Sequence, residues 1–521
     1  MSQDLKDKLL HQEVLAAVGA QADDLGVEAY AVGGVVRDSL LDRPTTEIDF
    51  VTVGEGSGIA LAQALAESQG GRMSHVYRNF GTAGVWMKGP AGLVFLEFVG
   101  ARKESYRRDS RKPIVEDGSL SDDLRRRDFT VNAMAVEVNF ANFGSLHDPF
   151  DGLADLDRKL LRTPLEPDAT FSDDPLRMVR AARFASQLRF EIDPEAVEAI
   201  SRNASRIEIV SQERITEEFR QVLCSGSPTV GFKILHTTGI LPIAFRELSA
   251  LAGVETVGGY RHKDNFYHTL QVVDNLIASL HPDKFDLQID LDDPEEWLRW
   301  AALLHDVGKP RTRRFETGTG WTFHGHEDLG SRMIPDIFRR LKFPLDDRMK
   351  YVEKLIRLHH RPVSLVDESV TDSAVRRLLF DAGDDIEDLM RLVRADITSK
   401  DPRRVRRYLD NFDVVEQKMA EVEEKDSLRN FEPPLDGNEI MQVLGLGEGI
   451  AVGIIKENVR EAIVDGRIAN EHDAAYDFMM EIKDDAIIRA DLFTRFVRNL
   501  QPREKRVIGT LKELVFYGDL P

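Results

Sequence analysis

Apolar and polar positions alternate in short runs from Glu28 to about Asn139, and glycines break the runs: AYAVGG, EIDFVTVG, AGVWM, LVFLEFVG and VNAMAVEV. A period of two predicts half-buried strands, with a helix intervening at 56–69. Residues 3–22 carry helical spacing, with acids and no signal-type apolar core. From about Asp173 the period becomes helical (LRMVRAARFASQL, PEAVEAISRNA, ERITEEFRQVL), and no clear strand follows to the C-terminus. Gly258-Gly259 precede a second helical block over 260–400, which an acidic stretch at 282–296 interrupts as a surface insertion. The Pro/Gly break NFEPPLDG at 430–437 reads as a boundary. The expected class is α+β: a mixed-sheet head, then helices.

Composition narrows the function. A chain of 521 residues holds about three or four domains. Its 42% hydrophobic and 31% charged content supports sizeable cores and excludes wholesale disorder. No apolar run approaches the roughly 20 residues of a membrane span. Cys224 is the single cysteine, which excludes intrachain disulfides and thiolate metal clusters and fits a reducing cytoplasm. The 90 acidic and 69 basic residues leave a net charge of −21, so nucleic-acid contacts must come from local basic patches.

The most informative stretch is AVGGVVRDSLLDRPTTEIDFVTVG, 31–54. Gly33-Gly34 follow an apolar strand and open a short helix, where backbone amides form an anion site. Arg37, one helical turn on, is placed to grip a triphosphate. Glu47 and Asp49 alternate on the next strand, so both carboxylates point to one face. Neighbouring acids repel, and bound divalent cations offset the repulsion. Mg²⁺ held by carboxylates and phosphate oxygens is the usual arrangement for phosphoryl transfer. Glu97, amid the apolar residues of LVFLEFVG, is either a third acid for this site, because a buried carboxylate needs a partner, or a surface Glu on an edge strand. Each half alone also fits a plain turn or a solvated strand face; the order of strand, GG, Arg, strand and paired acids favours the nucleotide reading.

Two later segments extend it. SDDLRRRDFTVNAMAVEV (121–138) sets Arg127-Asp128 at a strand entrance, with Asn132 four residues on. SDDPLRMVRAARF (172–184) spaces Asp174, Arg177, Arg180 and Arg183 in steps of three along a helix. Asp and Arg offer flat, bidentate hydrogen-bonding edges. Such a row suits the Watson–Crick edge of a base, with the remaining arginines on phosphates; a solvated charged face has the same composition.

The order GGVVRD, EID, RRDFTVNA, DDPLR, ERITEE resembles the class II tRNA nucleotidyltransferase and bacterial poly(A) polymerase family over about residues 25–225. The resemblance implies a nucleotidyltransferase head followed by a helical neck and body. It implies that Gly34 and Arg37 bind the triphosphate and that Glu47 and Asp49 hold Mg²⁺. By the same likeness Arg127 contacts the nucleotide, supported by Asp128 and Asn132. Asp174 and Arg177 template CTP and ATP, Arg180 and Arg183 line the pocket, and Glu213-Arg214 brace the templating helix. The chain departs from the family at two positions: Glu47 replaces the first Asp of Asp-x-Asp, and Asp173 replaces the Glu of Glu-Asp.

Eight of the thirteen histidines lie between 262 and 360. His268, His305, Asp306 and Asp396 suit one metal; His326, His359 and His360, with Asp306 bridging, suit a second. A His/Asp donor set without cysteine favours a divalent transition metal (Mn, Fe, Ni, Co or Zn) that activates water against a phosphoester. The ordered set H…HD…H…HH…D resembles the HD-type phosphohydrolases over about 260–400. His324 is the weaker ligand of the His324/His326 pair, and His262 and His281 read as surface residues.

PRRVRRY (402–408) is a basic cluster that either meets an RNA backbone or forms a solvated helix face; QPREKR (501–506) is a weaker one. Residues 435–470, with GLGEG and VDGRIAN, resemble the body of HD-containing CCA-adding enzymes, which implies a hold on the tRNA elbow by shape. The expected division is a head at 1–165, a neck at 166–255, an HD domain at 256–400 and a body and tail at 401–521. The leading expectation is CCA addition to tRNA 3′ ends from CTP and ATP, with a second, HD hydrolytic site. Poly(A) synthesis, C-only or A-only addition, an HD phosphohydrolase with a non-catalytic RNA-binding head, and an inert RNA-end binder are the alternatives.

Overall fold

Ile48 and Phe50 on one strand run, and Leu96 and Phe98 on another, are the apolar alternates that build the sheet of the head; all four are fully buried, and the Phe50 and Phe98 rings stack at 4.9 Å. The computed structural model describes residues 9–89, 92–107, 110–257, 259–282, 287–366, 371–399, 401–426 and 434–499. The strands are β1 (Glu28–Val32), β2 (Glu47–Val53), β3 (Arg72–Tyr77), β4 (Thr82–Gly89), β5 (Gly92–Gly100), β6 (Arg102–Arg107), β7 (Ser110–Asp117), β8 (Ala135–Glu137) and β9 (Leu146–His147). Seven of them form one sheet in the order β3-β4-β5-β2-β1-β8-β9, while β6 and β7 pair as a separate hairpin. β2 and β5 are parallel and their neighbours antiparallel, so the sheet is mixed.

Helices α1 (Gln12–Leu25) and α3 (Ser57–Gln69) cover one face, where Leu15, Val18, Leu61 and Leu65 join the strand apolar residues in one core. Helix α2 (Gly34–Leu40) follows β1 directly. The opposite face of β2, carrying Glu47 and Asp49, is left open. After the head the chain is mainly helical, with α4 (Leu176–Leu188) and α5 (Gln212–Leu223) nearest the site, then α6 (Asn265–Leu280), α7 (Pro294–Leu304), α8 (His326–Leu341), α9 (Asp347–Leu358), α10 (Ile386–Ala395), α11 (Pro402–Asp426), α12 (Ile450–Val464) and α13 (His472–Asn499). The chain divides into two compact units, Met1–Trp300 with Pro335–Leu345, and Ala301–Ile334 with Asp346–Pro521. The α+β class follows: a sheet in the head, helices beyond it.

Several local expectations are corrected. The first described helix runs from Gln12 to Leu25 rather than over 3–22, and residues 1–8 lie outside the described residues. β3 and the β6–β7 hairpin escaped the sequence pattern, because RMSHVY, RKESYR and SRKPIVED carry no apolar alternation. Within VNAMAVEV only Ala135–Glu137 is strand; Thr130–Asn132 is a 3₁₀ turn, so Asn132 sits on a turn. Beyond Asp173 short strands do occur: Glu191–Ile192 beside Leu160–Leu161, Thr256–Val257 beside Tyr260–Arg261, and Arg314–Glu316 beside Gly320–Thr322. Ladders of two or three residues are too short to leave a period. The acidic stretch is no mere insertion where it is described: Glu296 is fully buried and accepts from Arg220 Nε at 2.7 Å. QPREKR lies outside the described residues, as do Asn430–Pro433 of the expected boundary.

Candidate functional site

Gly33 ends β1 with φ 71°, a left-handed conformation that glycine adopts without strain. A Cβ at this position would lie 2.7 Å from Arg127 Nη1, so the missing side chain also admits a guanidinium. Gly33, Gly34 and Arg37 form one wall of a cavity of about 650 Å³ in the first unit. Glu47, Asp49 and Glu97 form another, and Arg127, Asp128, Asn132, Asp174, Arg177, Arg180 and Arg183 complete it. With Arg214, fourteen of the fifteen head and neck residues expected from the sequence therefore converge on one space, of a size that holds a nucleotide, and Glu213 does not.

The acidic wall is a consequence of register. Asp49 pairs with Glu97 across the parallel β2–β5 ladder, two residues from Glu47. The Asp49 side chain stays open to the cavity, but protein around it raises its pKa, against the pull of Arg127 and Arg180. Burial, and then the charge of Asp49, raise the pKa of Glu97, while His75 opposes the rise. Carboxylates held together at this electrostatic disadvantage, facing an open cavity, are a hard-oxygen donor set that suits a divalent cation.

The basic wall is organised by buried hydrogen bonds. Arg37 Nη1 donates to Asn132 Oδ1 at 2.7 Å, and its Nε and Nη2 donate to both oxygens of Asp38. Asn132 Nδ2 donates to Asp128 Oδ1 at 3.0 Å, and Arg180 Nε donates to Asp128 Oδ2 at 2.8 Å. Arg37 and Arg180 are thus linked through Asn132 and Asp128. Burial alone raises the Asp128 pKa, but the Arg180 charge and the two hydrogen bonds outweigh it and hold the pKa well below the usual carboxylate range. Burial pushes Arg183 down to about 10, against the pull of Glu218. The Phe184 ring carries Arg37, Arg180 and Arg183 at 5.1, 5.2 and 4.5 Å from its centroid.

Three details differ from the sequence reading. Asp174 is not on the helix with the arginines; it caps the C-terminus of the preceding helix, Pro167–Asp173, with extended backbone, and Arg214 Nη2 lies 3.8 Å from its carboxylate. Arg177 donates to the carbonyls of Thr170 and Arg126, so backbone contacts hold two of its N–H groups. Glu213 is exposed near Lys342, and the acid that braces α4 is Glu218, within 3.7 Å of Arg180 and 3.3 Å of Arg183. Sequence reasoning also missed Asp123, a fully buried carboxylate that accepts from Arg126 and Arg127. Its only signal was an acid three and four residues before two arginines.

In the second unit His305, Asp306, His326 and His359 are buried. His305 Nε2 lies 3.4 Å from Asp306 Oδ2 and 3.6 Å from Asp396 Oδ1, and His326 Nε2 lies 3.5 Å from Asp306 Oδ1. The two oxygens of Asp306 therefore face different imidazoles. His305, His359 and Asp396 make one group of donor atoms within 4.8 Å of one another, and Asp306, His326 and His359 make another. His305, His326 and His359 each direct Nδ1 to the backbone carbonyl three residues earlier, at 2.8, 2.9 and 2.6 Å. That contact fixes the tautomer and turns Nε2 toward the cluster, as in metal-bound histidines. Lys309 Nζ, 2.7 Å from Asp306 Oδ2, is a further cation that the sequence reading overlooked. His360 is exposed, with its ring 5.2 Å from that of His326, and His324 is exposed. His268 belongs to the first unit, buried on α6 with Lys263 Nζ 2.8 Å from its Nδ1. His262 is buried rather than superficial, its ring accepting the Glu255 N–H, and His281 is paired with Glu295.

Arg403, Arg404, Arg406 and Arg407 are exposed on the first turns of α11, with Arg404 and Arg407 over the Tyr408 ring at 5.7 and 5.6 Å. Among the described residues no helix is long and apolar enough to cross a membrane.

Residues 29–162 match the poly A polymerase head domain, 189–251 the probable RNA- and SrmB-binding site of polymerase A, and 265–399 the HD domain. The chain is 32% identical over 458 residues to the A-adding tRNA nucleotidyltransferase of Deinococcus radiodurans, covering 86% of this chain and 94% of the relative. It is 32% identical over 335 residues to the multifunctional CCA protein of Pseudomonas fluorescens, covering 60% and 70%. A crystal structure of a tRNA nucleotidyltransferase complexed with a primer tRNA and an incoming ATP analog is similar, with TM-score 0.53, 25% identity and coverage of 77% of this chain and 99% of that one. The Bacillus stearothermophilus CCA-adding enzyme in complex with CTP shares the fold, with TM-score 0.55, 24% identity and coverage of 90% and 97%. The chain belongs to the class II tRNA nucleotidyltransferase and bacterial poly(A) polymerase family, and is an enzyme of the nucleotidyltransferase class.

Proposed function

We propose that the protein completes tRNA 3′ ends with CCA, taking CTP and ATP in turn. The observation that carries this reading is the two-sided cavity, acidic along Glu47, Asp49 and Glu97 and basic along Arg37, Arg127, Arg180 and Arg183. Glu47, Asp49 and Glu97 would hold Mg²⁺, which would supply activation of the attacking hydroxyl and charge neutralisation at the leaving group. Arg37, tied through Asn132 and Asp128 to Arg180, orients the triphosphate. The RNA 3′-hydroxyl attacks the α-phosphate, the bond to the β-phosphate breaks, and pyrophosphate leaves. Asp174 and Arg177 select the base, with the incoming letter chosen by side chains rather than by a nucleic-acid template.

The names of two relatives favour a second reading, addition of A alone: the Deinococcus radiodurans protein, and the A-adding tRNA nucleotidyltransferase of Aquifex aeolicus, 46% identical over 166 residues and matching 19% of that relative. Incubation with tRNA lacking CCA and tRNA ending in CC, with labelled CTP and ATP singly and together, separates the two. C-C-A on the first substrate supports CCA addition, A on the second alone supports A addition, and long A tracts support poly(A) synthesis. No incorporation on any substrate refutes a catalytic head.

The His/Asp cluster is proposed as a second site, with a divalent transition metal (Mn, Fe, Ni, Co or Zn), that hydrolyses phosphomonoesters or 2′,3′-cyclic phosphates at RNA ends. His305, Asp306, His326, His359, His360 and Asp396 are its proposed ligands. Arg403, Arg404, Arg406 and Arg407 would meet the tRNA backbone, and 435–470 would hold its elbow. The division at 1–165, 166–255, 256–400 and 401–521 is the corresponding domain proposal. Cys224, buried and the single cysteine, fits a cytoplasmic location.

A further inference from the structure

A row of four residues crosses the head sheet in register. Asp49 on β2 is opposite Glu97 on β5, Glu97 is opposite Gly84 on β4, and Gly84 is opposite His75 on β3. Residues opposite one another on neighbouring strands share a sheet face, and their side chains normally fill it in sequence. Gly84 leaves a gap in that sequence. A Cβ there would lie 2.5 Å from His75 Cε1 and 2.7 Å from Phe95 Cζ, so the imidazole occupies the space a side chain at 84 would need. Across this gap His75 Nε2 comes within 3.7 Å of Glu97 Oε1.

The imidazole is held in place on its other sides. The β3–β4 register shifts between Met73 and His75, an irregularity of the kind that re-aims a side chain. The ring packs on Tyr77 and Phe95 with centroids 4.7 and 6.0 Å away. Its side chain is 22% exposed against 39% for Glu97. His75 lies outside the lining of the cavity, behind the carboxylate that forms part of its acidic wall.

We infer that His75 is a positioning residue for nucleotidyl transfer: through the gap at Gly84 it holds the Glu97 carboxylate toward Asp49, so that both meet the same cation. The inference rests on the assignment of Glu97 to the metal site. A glutamate on an open sheet face samples several rotamers, and an outer partner that restricts them strengthens a metal ligand without touching the metal. Loss of such a partner lowers metal affinity or activity by about 10-fold to 100-fold.

The test is Mg²⁺ binding to the full chain by titration calorimetry, read beside the Mg²⁺ dependence of labelled-ATP incorporation into tRNA ending in CC. His75→Ala should raise half-saturating Mg²⁺ about tenfold, with KM for ATP at saturating Mg²⁺ within about twofold of wild type. His75→Gln, which keeps a donor at similar reach, should restore most of the loss. Gly84→Ala, which closes the gap while keeping the histidine, should reproduce the His75→Ala shift. An unchanged Mg²⁺ dependence in folded His75→Ala overturns the inference, as does a defect in ATP KM alone. Asp49→Ala and Glu97→Ala separate it from the wider reading. If both abolish incorporation and His75→Ala does nothing, only the role of His75 falls. If Glu97→Ala is fully active, the inference falls with its premise while Asp49 stands. If Asp49→Ala is fully active, the transfer site itself has been misassigned.

Discussion

Arg180 donates Nε to Asp128 Oδ2 at 2.8 Å, joining α4 to the segment between the helix Leu120–Arg125 and the Thr130–Asn132 turn, 52 residues earlier. This bond, with Arg37–Asn132–Asp128 on the other side, fixes Arg37 and Arg180 to the same buried acid. A pocket built this way keeps its cations in position before the nucleotide arrives, so binding does not have to order them.

Asp128→Asn keeps the shape but removes the charge, and should destabilise the protein by about 3 kcal/mol near neutral pH, as for one partner of a buried pair. The folded pKa of Asp128 lies below its unfolded value of about 4. Its contribution is therefore present above pH 4 and is lost as pH falls below that value. Thermal melts from pH 7 to pH 3 should show the gap between wild type and Asp128→Asn narrowing at the acid end; a constant gap contradicts the ion pair.

Asp49→Asn should lower kcat for end extension by about 100-fold or more, corresponding to about 3 kcal/mol of lost charge stabilisation. Glu47→Gln should fall comparably, and Glu47→Asp should retain activity if residue 47 is a direct ligand with a flexible reach. Steady-state incorporation of labelled nucleotide at saturating tRNA reads all three.

On the proposed reading of the His/Asp cluster as a metal-dependent hydrolytic site, chelation should abolish phosphomonoester hydrolysis, with Mn²⁺ or Ni²⁺ restoring it. His359→Ala should lower bound metal, measured by elemental analysis, because His359 belongs to both donor groups of the second unit. Nucleotidyl transfer in the same variant should stay within about twofold of wild type, since its carboxylates are a separate set.

Replacing Arg403 or Arg407 by Ala should weaken tRNA binding and lower the slope of log K against log salt by about one for each phosphate that is no longer neutralised. Filter binding from 50 to 300 mM KCl, about the range in which counterion release dominates, measures this. A slope equal to that of wild type would leave the arginines as a solvated helix face.

The local chemistry of the site was legible along the chain because it depends on short-range rules. A glycine pair after a strand, acids two apart on one face and arginines three apart on a helix are written in periods of two and 3.6, so Glu47, Asp49, Arg180 and Arg183 were identifiable by spacing. The HD cluster was legible because imidazoles and a His-Asp pair are rare enough to stand out. What joined these pieces was decided by tertiary structure. Glu97 faces Asp49 only because β5 lies beside β2 in parallel register, and Glu218 rather than Glu213 braces the arginines because α5 turns that face toward α4. Asp123 and His75 act across hairpin and sheet contacts whose residue types carry no marker of their own. Periodicity encodes which face of an element a residue occupies; which elements meet, and in what register, is set by the packing of the whole core.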